Sequence, residues 1–220
     1  MGENAISIAD QAIGAVSGRK AQRDATRAAL LKVAVDTLIE RGAAGVTTLE
    51  VQQRADVSRG ALLHHFPTRA GLLSATVTEL VRQNEEALWR ERARALPCTD
   101  PLTVAIRTLA AAAAAPSYIA EMELWTLSRT DPVLRDTLRT AERVALKDRE
   151  RVLDELFAAI RHEPGRQMVI DLSIEFARGR AMSGLLRQDR QRNDALVEDW
   201  ARAAWLIIER ARDPRHGETT

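Results

Sequence analysis

The stretch TTLEVQQRADVSRGALLHHFP, residues 47–67, decides the fold. Thr47-Thr48-Leu49-Glu50 fits a capping box: the Thr47 hydroxyl accepts from the Glu50 N–H, and the Glu50 carboxylate reaches back to the Thr47 N–H. The helix so started ends near Ala55, because Asp56 tolerates the left-handed backbone that a tight turn needs. Ser58 then caps a second helix from Arg59 to Phe66, which Pro67 stops by disfavouring helical geometry in the residue before it. Two short helices joined by a three-residue turn make a helix-turn-helix. Val51, Ala55, Val57, Leu62 and Phe66 are spaced to form its small core. Arg59, Gly60, Ala61, Leu63 and His64 are left outward, a surface with two small residues that lies close to base edges if the helix enters a major groove.

Upstream, Leu30, Val33, Ala34, Thr37 and Leu38 share one face of a helix from about Asp24 to Arg41, and Gly42 supplies its stop. Downstream, a helix from Arg69 to roughly Arg94 carries Leu73, Val77, Leu80, Val81, Asn84 and Leu88 along one side and is long enough to connect two domains. The stretch Pro97-Cys98-Thr99-Asp100-Pro101 is the clearest break in the chain. Beyond it, helical spacing places elements at about 101–115, 117–129, 131–160, 165–188 and 193–212, with breaks at Pro116, Asp131-Pro132, Pro164-Gly165 and the polar run from Asp189 to Asp194. No stretch alternates as a strand does, so the chain is expected to be all-α. The expected organisation is a flexible arm at 1–23, a three-helix DNA-binding domain at 24–69, a domain of about six helices at 70–212, and a tail at 213–220. The six alanines 110–115 are expected to pack tightly inside a helix.

The 220 residues are 45% hydrophobic, enough for a proper core, and the lone Cys98 excludes an internal disulfide. No apolar run approaches the ~18 residues of a membrane span, and the first twenty residues carry acids early and basic residues late, the reverse of a signal peptide. A cytoplasmic protein with no membrane partner is expected. Net charge is only +1, but residues 19–69 carry nine Lys or Arg against five acids, leaving the remainder at −3. A locally basic segment on a nearly neutral chain is a modest footprint for phosphate contacts. His64-His65 does not suggest a metal site, since adjacent helical residues point about 100° apart.

Thr47-Thr48, Ala55 through Arg69, and Leu72-Leu73 together resemble the N-terminal signature of the tetracycline-repressor (TetR) family, over about residues 24–75. The resemblance implies that Thr47, Thr48, Ser58, His64 and Arg69 hold phosphates while Arg59, Gly60 and Ala61 face bases, with Arg19, Lys20 and Arg23 reaching the duplex as an arm. Leu63 stands where the family usually has a phosphate-binding tyrosine, Asp56 where the turn usually has glycine, and Gln52 where a small alanine usually packs. The resemblance further implies a homodimer on a pseudo-palindromic operator in double-stranded DNA.

In the second half, Met168, Leu172, Phe176, Gly179, Met182 and Leu186 form one helical stripe and Ile170, Ile174, Ala177, Ala181 and Leu185 another, so that one can face the core and the other a partner. The last helix repeats this with Leu196, Trp200, Ala203 and Ile207 beside Val197, Ala204 and Ile208. Leu172, Ala181, Leu185, Leu196, Trp200 and Ile207 are the expected dimer contacts. Trp89, Leu109, Tyr118, Met122, Trp125 and Phe176 are the candidate lining of an apolar ligand cavity, with Glu121, Glu175 and Arg178 as polar groups. Glu175 and Arg178 also suit a surface ion pair. An unidentified small-molecule effector bound there would shift the connecting helix and relieve repression, and no cofactor is expected. No GxSxG, HExxH, GxGxxG or P-loop pattern supports an enzyme. A helical enzyme or a protein-interaction module carrying a helix-turn-helix is the alternative.

Overall fold

The computed structural model describes residues 3–94, 100–187 and 189–213, and burial from Gly18 onward except at Arg19. Among these residues the chain is helical and without strands: α1 (Glu3–Gly45), α2 (Thr48–Arg54), α3 (Arg59–His65), α4 (Arg69–Arg94), α5 (Pro101–Ala113), α6 (Pro116–Leu127), α7 (Pro132–Leu156), a 3-10 turn (Ala158–Ile160), α8 (Arg166–Gly184) and α9 (Arg190–Arg212). The chain divides into two compact units, residues 1–79 and 80–220. The expected boundary after Arg69 therefore falls ten residues early. Leu72, Thr76 and Val77 explain the difference, being completely buried in the first turns of α4.

In the first unit, α1 buries Leu30, Leu31, Ala34, Val35, Thr37 and Leu38, positions that recur at three- and four-residue steps. Gly42 breaks its geometry with φ 70° and ψ −179°, where the stop was expected. The helix begins at Glu3 rather than Asp24, so the segment expected as a flexible arm has helical backbone. The stretch has no proline and many alanines, and nothing local opposes helix there.

In the second unit, α5 packs against α8 and α9, which also pack on each other, and α6 packs against α7. Alanines 110, 112 and 113 are buried among these helices, where small side chains let backbones approach. Asp100 caps α5, accepting from the N–H groups of Leu102 at 3.2 Å and Thr103 at 3.0 Å, and takes the indole N–H of Trp205 at 3.0 Å. Helix α8 stops at Gly184, short of the expected 188. Helix α9 starts at Arg190 because Asp189 caps it, accepting from the Arg192 N–H at 3.0 Å. Gly165 leads into α8 at φ 81°, where a Cβ would meet the Ala211 Cβ at 3.3 Å. Among the described residues no single helix is long and apolar enough to cross a membrane.

Candidate nucleic-acid interface and ligand cavity

Three hydroxyls start the helices of the first unit. Thr47 accepts from the Glu50 N–H at 3.1 Å, Ser58 from the Ala61 N–H at 3.1 Å and Thr68 from the Gly71 N–H at 3.0 Å. The reciprocal half of the expected capping box is absent: Glu50 gives its carboxylate to Arg41 at 2.6 Å, and the Thr47 N–H bonds to the Gly45 carbonyl at 2.9 Å. The turn places Asp56 at φ 51°, the only non-glycine with positive φ among the described residues. Arg54 ties α2 to α1 through Thr37 Oγ1 at 3.0 Å and Glu40 at 2.8 Å. Val51, Leu62 and Phe66 are buried, whereas Ala55 and Val57, expected in the same core, are half-buried at the turn. The Arg27 guanidinium lies 5.3 Å from the centre of the Phe66 ring. Burial, then the neighbouring His64, Arg23 and Arg27, hold His65 below the ordinary histidine range.

With Leu62 turned inward, α3 presents Arg59, Gly60, Leu63 and His64 to solvent and Ala61 at its edge. A Cβ on Gly60 would meet nothing closer than Ser58 Oγ at 3.9 Å, so the space above it is open. Lys20, Arg23 and Ser58 are exposed, and Thr47 and Thr48 are half-buried at the start of α2. The Arg19 side chain lies outside the described residues. Arg69 is exposed, but its Nε points at the Val46 carbonyl, 3.4 Å away. Leu49 is exposed near the same helices, a position the sequence did not single out.

The second unit contains a cavity of about 100 Å³ walled by α4, α5, α6, α7 and α8. Leu109 and Tyr118 line it as expected, but four of the expected lining residues lie elsewhere. Phe176 stacks on Trp200 with ring centres 6.1 Å apart, and Trp89 packs against the main core. Met122 is buried off the cavity, and Trp125 is partly exposed beneath the Arg178 guanidinium at 4.7 Å. The apolar lining is mostly aliphatic, including Val81, Leu88, Ala112, Val152 and Ile174, and the polar lining is Asn84, Glu85, Tyr118, Glu121, Arg149 and Arg178. Large aromatic side chains are not the signal of this cavity. The better signal was the ionisable groups at helical spacing on otherwise apolar faces.

Glu121 is 3% exposed and receives the Asn84 amide N–H at 2.6 Å. Burial first, then hydrogen bonding with Glu142 and its charge, push the Glu121 carboxyl up to about 8. Burial also opposes ionisation of Glu142, yet hydrogen bonds from Glu121 and Arg149 and the Arg149 charge hold Glu142 below its ordinary value. The pair therefore carries one proton, on Glu121, aimed at Glu142. Arg149 reaches Glu142 at 2.7 Å, while Arg178 pairs with Glu175 at 2.5 Å and donates to the Tyr118 hydroxyl at 3.1 Å. Glu175 is exposed, in keeping with an ion pair rather than a cavity wall. No group of three or more metal-ligating side chains occurs among the described residues.

Helices α8 and α9, with the turn after α8, expose Met168, Leu172, Met182, Leu185, Leu186, Leu196 and Leu206. Of the expected dimer contacts, Leu172, Leu185 and Leu196 are on this outer surface. Ala181 is buried beside Ala113 and Ala177, and Trp200 and Ile207 are half-buried against their own core, Trp200 donating to Ser173 Oγ at 2.9 Å. Of the first stripe Met168, Leu172, Met182 and Leu186 face outward while Phe176 packs inward on Trp200, and of the second Ile170, Ala177 and Ala181 face inward while Leu185 is exposed.

A capped pair of short helices with a left-handed turn, held on a longer helix and presenting a basic, small-residue face, defines the class of helix-turn-helix domains. Residues 30–76 match the family described as bacterial regulatory proteins, tetR family. Through this unit the chain is similar to the tetR family. It is 35% identical over 119 residues to an uncharacterised HTH-type transcriptional regulator of Mycobacterium tuberculosis, a match covering 54% of this chain and 60% of that one. The chain thus spans less than two thirds of that relative's length. The HTH-type transcriptional regulator CymR of Pseudomonas putida is 29% identical over 168 residues, 76% of this chain and 83% of that protein. The crystal structure of the multidrug binding protein EbrR complexed with proflavin shares the fold at a TM-score of 0.56 and 19% identity, over 83% of this chain and 99% of that one.

Proposed function

We propose that the protein is a homodimeric, cytoplasmic transcription regulator that binds a pseudo-palindromic operator in double-stranded DNA through α3 and is released by a small molecule in the α4–α8 cavity. The observation that carries this reading is the outward face of α3. Arg59 and His64 flank the open space above Gly60 on a helix whose position is set by the Ser58 cap and the buried Leu62 and Phe66. Arginine at such a position suits guanine edges, and small neighbours allow the helix to approach them. Twofold pairing through the exposed leucines and methionines of α8 and α9 would present two such helices to the half-sites of an inverted repeat.

The cavity suits an effector because it lies among helices that include α4, which begins in the DNA-binding unit. A ligand acts only through its differential affinity for the conformations that do and do not fit DNA, so ligand and operator must weaken each other reciprocally. That a related fold is described as binding proflavin supports a small-molecule effector for this one.

The test is selection of binding sites from a randomised DNA pool, with Arg59→Ala and His64→Ala alongside. An inverted repeat should emerge whose affinity falls steeply with salt, and Arg59→Ala should weaken it by about 1–3 kcal/mol. A folded protein that enriches no sequence overturns the reading. Leu172→Glu combined with Leu206→Glu should yield a monomer in sedimentation, and an unchanged dimer would place the interface elsewhere.

A further inference from the structure

The charge and hydrogen-bonding balance of the cavity is lopsided. Two carboxyl side chains of the lining, Glu85 and Glu121, with Glu142 beside Glu121, face two cations, and both cations are engaged: Arg149 with Glu142, and Arg178 with Glu175, Tyr118 and the Trp125 ring. On the acceptor side, demand is unmet. Glu85 Oε1 and Asn84 Oδ1 are buried and receive no hydrogen bond. The proton on Glu121 can serve Glu142, but it leaves the α4 acceptors of Asn84 and Glu85 without a donor. Burial raises the Glu85 carboxyl above its ordinary range, with Arg149 opposing and Asp148 and Glu142 adding to the rise. Helix α5 contributes only Leu109, Ala112 and Ala113, and α8 adds Ile174 and Ala177 beside Arg178, whose guanidinium is taken up by Tyr118, Glu175 and the Trp125 ring.

We propose that the effector is a small organic cation that carries N–H donors on an apolar body: the body occupies the α5–α8 side of the cavity, and the N–H groups bond to Glu121, Glu85 and Asn84. Resting on the regulator reading, this assigns its effector class. The cavity of about 100 Å³ is on the scale of one unsaturated ring, so the body is a single ring or a short branched chain. The cation takes the place of the proton shared by Glu121 and Glu142, and that proton leaves to solvent. An anionic effector would meet the two carboxyl groups of the lining and no unengaged cation. A neutral apolar one would leave the buried acceptors as they are, at the cost that unpaired polar groups carry.

Benzamidine, benzamide and benzoate form a shape-matched series of cation, neutral molecule and anion. Calorimetry at pH 7 should show benzamidine binding at least tenfold tighter than either of the others. Its heat should differ between phosphate and Tris buffers by an amount that corresponds to release of roughly one proton, because Glu121 titrates at about 8, and the difference should vanish at pH 9.5. Glu121→Gln should abolish the proton release and weaken benzamidine at least tenfold while leaving benzamide unchanged. Glu85→Gln, a second variant, should weaken benzamidine alone. Equal or tighter binding of benzamide or benzoate, absence of binding by all three, or benzamidine affinity indifferent to both variants would overturn the proposal. DNA-site selection with the same preparation separates the two readings. An enriched operator with a cavity that prefers benzoate sinks the effector class alone, and tight benzamidine binding without any enriched DNA sinks the regulator reading alone.

Discussion

In the first unit, polar side chains that turn inward are satisfied locally. Thr37 and Thr76 donate to carbonyls one turn back, at 2.7 and 2.8 Å, Arg54 is divided between Thr37 and Glu40, and three hydroxyls close three helix starts. In the second unit the largest buried polar group is a carboxyl sharing a proton with its neighbour, and acceptors from α4 stand beside it without donors. A unit with no inner polar demand has its chemistry on its outer face, where α3 is presented. A unit that keeps unmet demand inside sacrifices stability for a place where a ligand can supply what is missing.

The contrast breaks most visibly if the first unit is loosened. Phe66→Ala removes a ring that is 3% exposed at the end of α3 and should cost about 3–5 kcal/mol in urea unfolding, with loss of DNA binding. A cost below about 1 kcal/mol would mean that this unit is not the rigid scaffold described. The second unit should show its own signature in pH. Folded Glu121 keeps its proton to about pH 8, whereas an unfolded glutamate loses it near 4.5, so the folded state binds more protons between those values. Its contribution is therefore full below about 4.5 and is lost as pH rises to 8. The loss should reach about 2–3 kcal/mol, since the proton is shared with Glu142, and Glu121→Gln should flatten it. An identical pH slope in the variant would remove Glu121 as the source.

The same contrast explains what could be read from sequence. Caps, turns and the α3 core depend on residues at most a few positions apart, so Thr47, Asp56, Ser58 and Leu62 were legible as a pattern. The capping box failed only where a non-local partner intervened, Arg41 reaching across from α1 to take Glu50. The cavity depends on residues as far apart as Asn84 and Arg178, brought together by packing that no local periodicity encodes. Large aromatics were a poor guide because they fill space: Phe176 and Trp200 stack on each other instead of leaving a void. Outward and inward stripes on α8 were both visible, but which was which depended on where α5 lies. The early start of α1 was missed because polar, alanine-rich sequence fits a helix and a loose tail equally well.

Gly60→Ala sharpens the comparison from the surface side. The added methyl meets open space, and alanine is the better helix former, so folding stability should rise slightly, by up to about 1 kcal/mol. Operator affinity should nevertheless drop by about tenfold if bases approach the α3 backbone at this point. Unchanged affinity would move the DNA contact away from Gly60.

The smallest expected effect is at Asp56. Its left-handed backbone, φ 51°, is strained for most residues, mildly so for aspartate, and not at all for glycine. Asp56→Gly relieves that strain but adds freedom to the unfolded chain, so the two effects should nearly cancel and stability should stay within about 0.5 kcal/mol. Its charge is a separate matter. An exposed carboxylate two residues before the Ser58 cap repels phosphates docking at the start of α3, so its removal should raise operator affinity a few-fold at low salt and much less at high salt. Stability falling by more than about 1 kcal/mol would show that the Asp56 side chain holds the turn. A gain independent of salt would mean that backbone geometry, not charge, limits docking. The expected pattern would show that the outer face of the first unit can be tuned for DNA without disturbing the core beneath it.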